Sequence, residues 1–212
     1  MNPKLRLACL GLCISPLALE AILQPALSEL GLLDGRPLLV ASVCSGVSIG
    51  LVALDNMGLN WRLLRFHERD PALAAVHSRG WARHHATWHR QAVTLPSDSP
   101  QENLLILSPD CGPFSHQNRH RSQDSMRAAL AELASILSVQ LSRRQPQLVI
   151  FESTSAVLHR ARLQAANFMV AALRWAGGSR YTWKGRLLCP AHDLGAHNRR
   201  NRLFIVGSLR PR

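Results

Sequence analysis

The sequence predicts an α/β protein: a mostly parallel sheet with helices on both faces. Short apolar runs suited to buried strands recur at 38–43 (LLVASV), 63–67 (LLRFH), 104–107 (LLIL) and 148–151 (LVIF). Longer stretches with helical spacing separate them, and strand alternating with helix implies parallel pairing. Chemically distinctive residues follow directly after four of the strands: Ser45-Gly46, Glu68, Cys111 and Glu152. In open parallel sheets, ligands bind beyond these carboxyl ends.

Each element has its own signal. Lys4 and Arg6 precede an apolar stretch, Leu7 to Leu19, that superficially resembles a signal peptide. It has no clear cleavage site, and Leu27, Leu30, Leu32 and Leu33 continue an apolar helical pattern. Residues 1–36 therefore read as an N-terminal helical segment, and 37–212 as the main domain. No stretch reaches the ~20 apolar residues of a membrane span, so no membrane partner is expected. After the 38–43 strand comes a Ser/Gly turn, then a helix from about Ile49 to Met57, stopped by Gly58. Pro71 suits the first turn of a helix running toward Gly80. The His/Trp-rich stretch from Trp81 to Arg90 fits no single element. Ser122 to Arg144 is a long helix with apolar residues at 126, 130, 133, 137 and 141. Val157 to Ala176 is another, closed by Gly177-Gly178. Strands near 181–188 and 202–208 finish the chain.

Composition bounds the function. The chain has 212 residues, 47% of them hydrophobic, which excludes disordered and collagen-like classes. Its net charge is +12, and residues 61–212 carry 22 cations against 9 anions. A basic body suits a polyanion such as nucleic acid, although an Arg-rich coding bias would produce the same excess. The 5 cysteines form no CxxC pair, which argues against a disulfide framework or a zinc site and for an intracellular, reducing compartment.

Cys111 lies in the turn Ser108-Pro109-Asp110-Cys111-Gly112-Pro113, directly after a buried strand. Such a turn presents a thiol at the sheet edge, where nearby positive charge would favour the nucleophilic thiolate. A lone cysteine is more often inert core. Glu152, after the 148–151 strand, is placed for general acid catalysis if burial favours its protonated form; an ordinary solvated strand end reads the same way. Arg200 and Arg202 alternate on one face of an extended segment, where they would clamp a carbonyl oxygen or a phosphate.

Four segments, in order, resemble the cytosine-C5 DNA methyltransferases. Residues 38–68 resemble that family's first motif and second acidic residue, most closely in its eukaryotic de novo branch. Residues 108–115 (SPDCGPFS) resemble the catalytic PCQPFS motif, and 151–154 (FEST) resemble FENV. Residues 188–207 (LCPAHDLGAHNRRNRLFIVG) resemble LNAxxYGVPQxRxRxFIVG. Residues 11–22 (GLCISPLALEAI) are similar to the family's last motif, GN(S/A)VxPxxxxAI, which would make the chain a circular permutant.

The resemblance implies a Rossmann-like, S-adenosylmethionine-dependent methyltransferase. It casts Cys111 as the nucleophile toward C6 of a flipped-out cytosine in DNA and Glu152 as the proton donor toward N3. Arg202, with Arg200, would hold the base. Ser45, Gly46, Val47, Ser48 and Gly50 would lie against the cofactor, Glu68 would accept its ribose hydroxyls, and Ser108 and Pro109 would border it. Several positions depart from the pattern. Asp110 replaces the proline before the cysteine, and a carboxylate there opposes thiolate formation. Ser153 replaces Asn, Asn198 replaces Gln, and His89 stands where an acidic residue is expected after the third strand. No segment matches a target-recognition domain, which a separate subunit or a downstream segment would then supply. Two alternatives accompany this reading: a non-catalytic DNA- or partner-binding relic, and an RNA cytosine methyltransferase.

Overall fold

The computed structural model describes residues 15–44, 46–91, 100–109, 122–158, 163–195 and 201–211. The chain runs α1 (Pro16–Glu29), β1 (Leu38–Val43), α2 (Val52–Asn56), β2 (Trp61–His67), α3 (Pro71–Gly80), β3 (His85–Gln91), β4 (Leu104–Leu107) and α4 (Gln123–Val139). It continues through β5 (Leu148–Thr154), α5 (Leu163–Gly177), β6 (Tyr181–Leu188), the short α6 (Pro190–Leu194) and β7 (Arg202–Leu209). The strands form one 7-stranded sheet in the order β3-β2-β1-β4-β5-β7-β6. β1 to β5 are parallel, and β7 inserts antiparallel between β5 and β6. The predicted mostly parallel α/β sheet is therefore present.

Alternation along the central strands sends side chains into two cores. On one face Leu38, Val40, Leu104, Ile106, Leu148, Ile150 and Phe204 meet α1 and α2. On the other, Ala41, Val43, Leu105, Leu107, Val149, Phe151 and Ile205 meet α4 and α5. Each fully buried Leu, Ile or Phe stabilises by roughly 1.5–3 kcal/mol. α1 is integral to the first core. Its Leu19, Leu23 and Leu27 are completely buried. Its ends are tied to distant elements, Glu20 to Asn56 of α2 (2.7 Å) and Glu29 to Lys184 of β6 (3.2 Å). Among the described residues no helix is long and apolar enough to cross a membrane.

Four sequence assignments change. The unassigned 81–90 stretch becomes a 3-10 turn (Ala82–His84) and β3. β3 pairs with β2 alone, so it needs no apolar run. His89 consequently lies inside β3 rather than after it. β5 extends beyond residue 151 to Thr154, because β7 pairs with it down to Thr154 opposite Arg202. Glu152 is thus a strand residue, not a strand end. The long helix stops being α-helical at Val139 and widens into a π turn at Gln140–Arg144, closed by Gln145 in the left-handed region (φ 49°). The helix predicted from Val157 begins as a 3-10 turn (Ser155–Leu158), and α5 proper starts at Leu163.

Candidate active site

The strand order reverses between β1 and β4, which opens a crevice at their carboxyl ends. β1 runs out into the loop that carries Gly46, Val47 and Ser48. Its described residues repeatedly adopt left-handed backbone: Cys44 (φ 54°), Gly46 (φ 55°) and Ser48 (φ 55°). Only glycine takes that conformation without strain, so this loop is held rather than merely permitted. Gly46, Val47 and Ser48 are all buried. Gly50 sits in the 3-10 turn Ile49–Leu51 that leads into α2.

Glu68 follows β2 and reaches this loop. One carboxylate oxygen accepts the Gly46 N–H (2.8 Å) and the other accepts the Asp70 N–H (2.9 Å). Asp70 caps α3, accepting from Ala72 N (2.8 Å) and Leu73 N (3.2 Å), with Pro71 at the first helical position. Across the crevice Ser108 continues β4 and donates its N–H to the Val43 carbonyl (3.2 Å). Its hydroxyl is buried and has no hydrogen-bond partner among the described residues, an orphaned polar atom beside the crevice. Pro109 follows it, half-buried.

The second cluster lies on β5 and β7. Glu152 is opposite Phe204 and Arg202 is opposite Thr154, so the two are diagonal neighbours on one sheet face. Arg202 Nε donates to Glu152 Oε1 at 2.6 Å, with side chains only 9% and 10% exposed. Arg202 Nη1 also donates to the Asn201 carbonyl (3.3 Å).

The structure therefore brings Glu152 to Arg202, and Gly46 to Glu68, at neighbouring strand ends. Ser45, Asp110, Cys111, Asn198 and Arg200 lie outside the described residues. Sequence reasoning assigned no part to Ser42 or Trp81, which both bond to the loop after β1. It also missed a wholly buried cluster. Arg65 of β2 donates to Glu102 (Nε–Oε1 2.8 Å) and to Gln140, and Arg144 donates to Glu102 Oε2 (2.8 Å). The signal was there: an arginine inside the apolar run LLRFH requires a buried partner. Among the described residues no group of three or more His, Cys, Asp or Glu could hold a metal ion.

A parallel sheet with a reversed order, an antiparallel seventh strand, a glycine-containing loop after β1 and an acidic residue after β2 belongs to the S-adenosylmethionine-dependent methyltransferases. Residues 39–212 match the family model for C-5 cytosine-specific DNA methylases, and the chain belongs to that family. Solved structures share the fold. The S. pombe Dnmt2 methyltransferase is 18% identical with a TM-score of 0.57, over 84% of this chain and 51% of that one. A DNA modification methyltransferase encoded within an E. coli prophage is 18% identical with a TM-score of 0.57, over 81% and 47%. TrmN from Thermus thermophilus is 16% identical with a TM-score of 0.50, over 87% and 48%. The chain thus spans about half the length of these proteins. No curated protein sequence matches it significantly. The family's cofactor is S-adenosylmethionine, and the residues bordering the crevice fit it: the Glu68 carboxylate after β2, a loop held in left-handed backbone, and a Ser108 hydroxyl without a hydrogen-bond partner among the described residues.

Proposed function

We propose that this protein transfers a methyl group from S-adenosylmethionine to C5 of cytosine in DNA, with Cys111 as the covalent nucleophile. The observation that carries the reading is the Glu152–Arg202 pair, 2.6 Å apart and nearly buried, on β5 and β7, the two strands that follow β4 in the sheet. A proton donor and a guanidinium side by side are what a cytosine needs to accept a nucleophile at C6.

The steps follow from these residues. Cys111 sulfur bonds to C6 of a base turned out of the stack. Glu152 donates a proton toward N3, so the electron pair pushed from C6 does not leave a charged ring. Arg202, with Arg200 beside it in sequence, holds O2 and the ring edge. C5 becomes nucleophilic, and bound S-adenosylmethionine supplies the electrophilic methyl group. A water or hydroxide takes the C5 proton, the Cys111 thiolate departs with the C6–S electron pair, and the N3 proton returns to Glu152, which restores the aromatic ring. The backbone from Ser45 to Gly50 cradles the cofactor's methionine end. Glu68 takes the ribose hydroxyls, and Ser108 and Pro109 border the cofactor on the β4 side. Asp110 beside Cys111 opposes thiolate formation, which predicts slow chemistry rather than none.

The net charge of +12 suits a nucleic acid, and the family match favours DNA; sequence-dependent reading falls to a separate subunit or an additional segment. The test is methyl incorporation from labelled cofactor into duplex DNA, with tRNA as a parallel arm. Cys111→Ser should lower incorporation into DNA to background, and DNA containing 5-fluorocytosine should trap wild-type protein as a covalent adduct. Equal incorporation by wild type and Cys111→Ser, or incorporation into tRNA alone, overturns the reading.

A further inference from the structure

The loop between β1 and α2 combines strained backbone with three side-chain restraints from outside it. Glu68 fixes Gly46, as described above. Ser42, inside β1, meets Ser48 hydroxyl to hydroxyl at 2.9 Å, both groups buried. Trp81, just after α3, donates its indole N–H to the Val47 carbonyl at 2.9 Å, also buried. Consecutive loop residues are thus each held by a different element: 46 from the end of β2, 47 from the end of α3, 48 from the interior of β1.

The restraints differ in kind. Glu68 faces the crevice and doubles as a ligand. Ser42 and Trp81 do not need to reach a ligand to matter. Ser42 is 1% exposed, and Trp81 is 8% exposed with its ring tilted against Trp61 (centroids 5.8 Å apart). Each acts on the loop through one hydrogen bond. Ser48 holds a left-handed conformation that a residue with a Cβ avoids, and its bond to Ser42 spans just this residue. Trp81 fixes the orientation of the Val47 peptide plane, and with it the neighbouring N–H of Ser48.

We propose that Ser42 and Trp81 are positioning residues for the cofactor. They fix the backbone of residues 46–48 in the geometry that receives S-adenosylmethionine, without touching it. This inference rests on the reading of the loop as the cofactor cradle. A prearranged cradle gains affinity because the cofactor does not have to order it on binding.

The test uses the full chain with Trp81→Phe, which keeps an aromatic ring but removes the N–H, and Ser42→Ala, which removes one oxygen. Calorimetry measures S-adenosylmethionine affinity, thermal melts without cofactor measure folding, and methyl transfer at varied cofactor gives KM and kcat. Each variant should bind S-adenosylmethionine about 5- to 10-fold more weakly, the worth of one hydrogen bond. KM for the cofactor should rise in step while kcat at saturation stays within about 2-fold of wild type, because the loop is restored once loaded. A purely structural role would lower the melting temperature and leave affinity and KM unchanged. If wild type binds and both variants bind equally well, the positioning inference fails and the cradle stands. If wild type does not bind, the cradle reading fails and takes the inference with it. Should Trp81→Phe not fold, Ser42→Ala decides alone.

Discussion

Arg65–Glu102 and Arg202–Glu152 are the same chemical pair, both taken out of water, and they sit in different parts of the sheet. Arg65 and Glu102 are each 0% exposed. Their pair links β2 to Glu102, two residues before β4 begins, and it is enclosed by Gln140 and Arg144 from the π turn. Burial pushes the Glu102 carboxyl up, but the charges and hydrogen bonds of Arg65, joined by Arg144, outweigh it and hold the pKa below its ordinary 4.5. Arg202 and Glu152 lie at the far end, beside the crevice, with about a tenth of each side chain exposed. The closed pair has no opening for a substrate and ties the fold together. The other pair keeps about a tenth of each side chain open to solvent.

Glu152→Gln tests the second half of this contrast and carries the largest expected effect. Removing the proton donor should lower methyl transfer by about 10²- to 10⁴-fold, with the far-UV spectrum close to wild type and a melting temperature lowered less than in Glu102→Gln, because this pair is partly exposed. A near-normal rate would move the proton donor elsewhere.

Glu102→Gln tests the first half. It strands two arginines in the interior and should cost about 3–5 kcal/mol, read as a shift in urea midpoint. The same residue sets an acid limb. Its folded-state pKa is lowered, so its contribution is complete above pH 4.5 and is lost as pH falls through the lowered value. Glu152→Gln should keep this acid limb and Glu102→Gln should lack it. Matching pH profiles for the two variants would break the contrast.

Arg144→Met sharpens the comparison. It leaves the one-to-one pair Arg65–Glu102 but deprives Glu102 Oε2 and the Pro100 carbonyl of their guanidinium donor. The expected cost is about 1–3 kcal/mol, smaller than that of Glu102→Gln. A larger cost would make Arg144, not Arg65, the main partner of Glu102. The smallest effect belongs to Asp70→Ala. The lost cap of α3 should cost about 1 kcal/mol in thermal unfolding and leave methyl transfer unchanged at saturating cofactor.

Much of this was legible in the residues themselves. Pro71 after Asp70 announced the start of α3, and Gly58 ended the helix before it in the left-handed region (φ 65°). β4 needed nothing beyond LLIL. β3 was not legible, because an edge strand in a His/Trp/Arg stretch leaves no apolar pattern. The π turn was also hidden. Its apolar spacing continues the helix through Leu141, whereas Gln140 bonds to Arg65 and Arg144 to Glu102, 75 and 42 residues earlier in the chain. Gly207 within FIVG looked like motif alone. In the structure, a Cβ there would lie 2.2 Å from the Trp183 ring.

The sequence by itself determined the fold class, the family and the residue types at the strand ends, because burial periodicity and turn chemistry are local and survive in one dimension. It did not determine which charges neutralise each other or what holds the loop after β1. Glu152 finds Arg202, Arg65 finds Glu102 and Trp81 finds Val47 across 50, 37 and 34 residues. Such partners meet only when strand order and register bring them within hydrogen-bond reach, and those are set by the packing of the whole sheet.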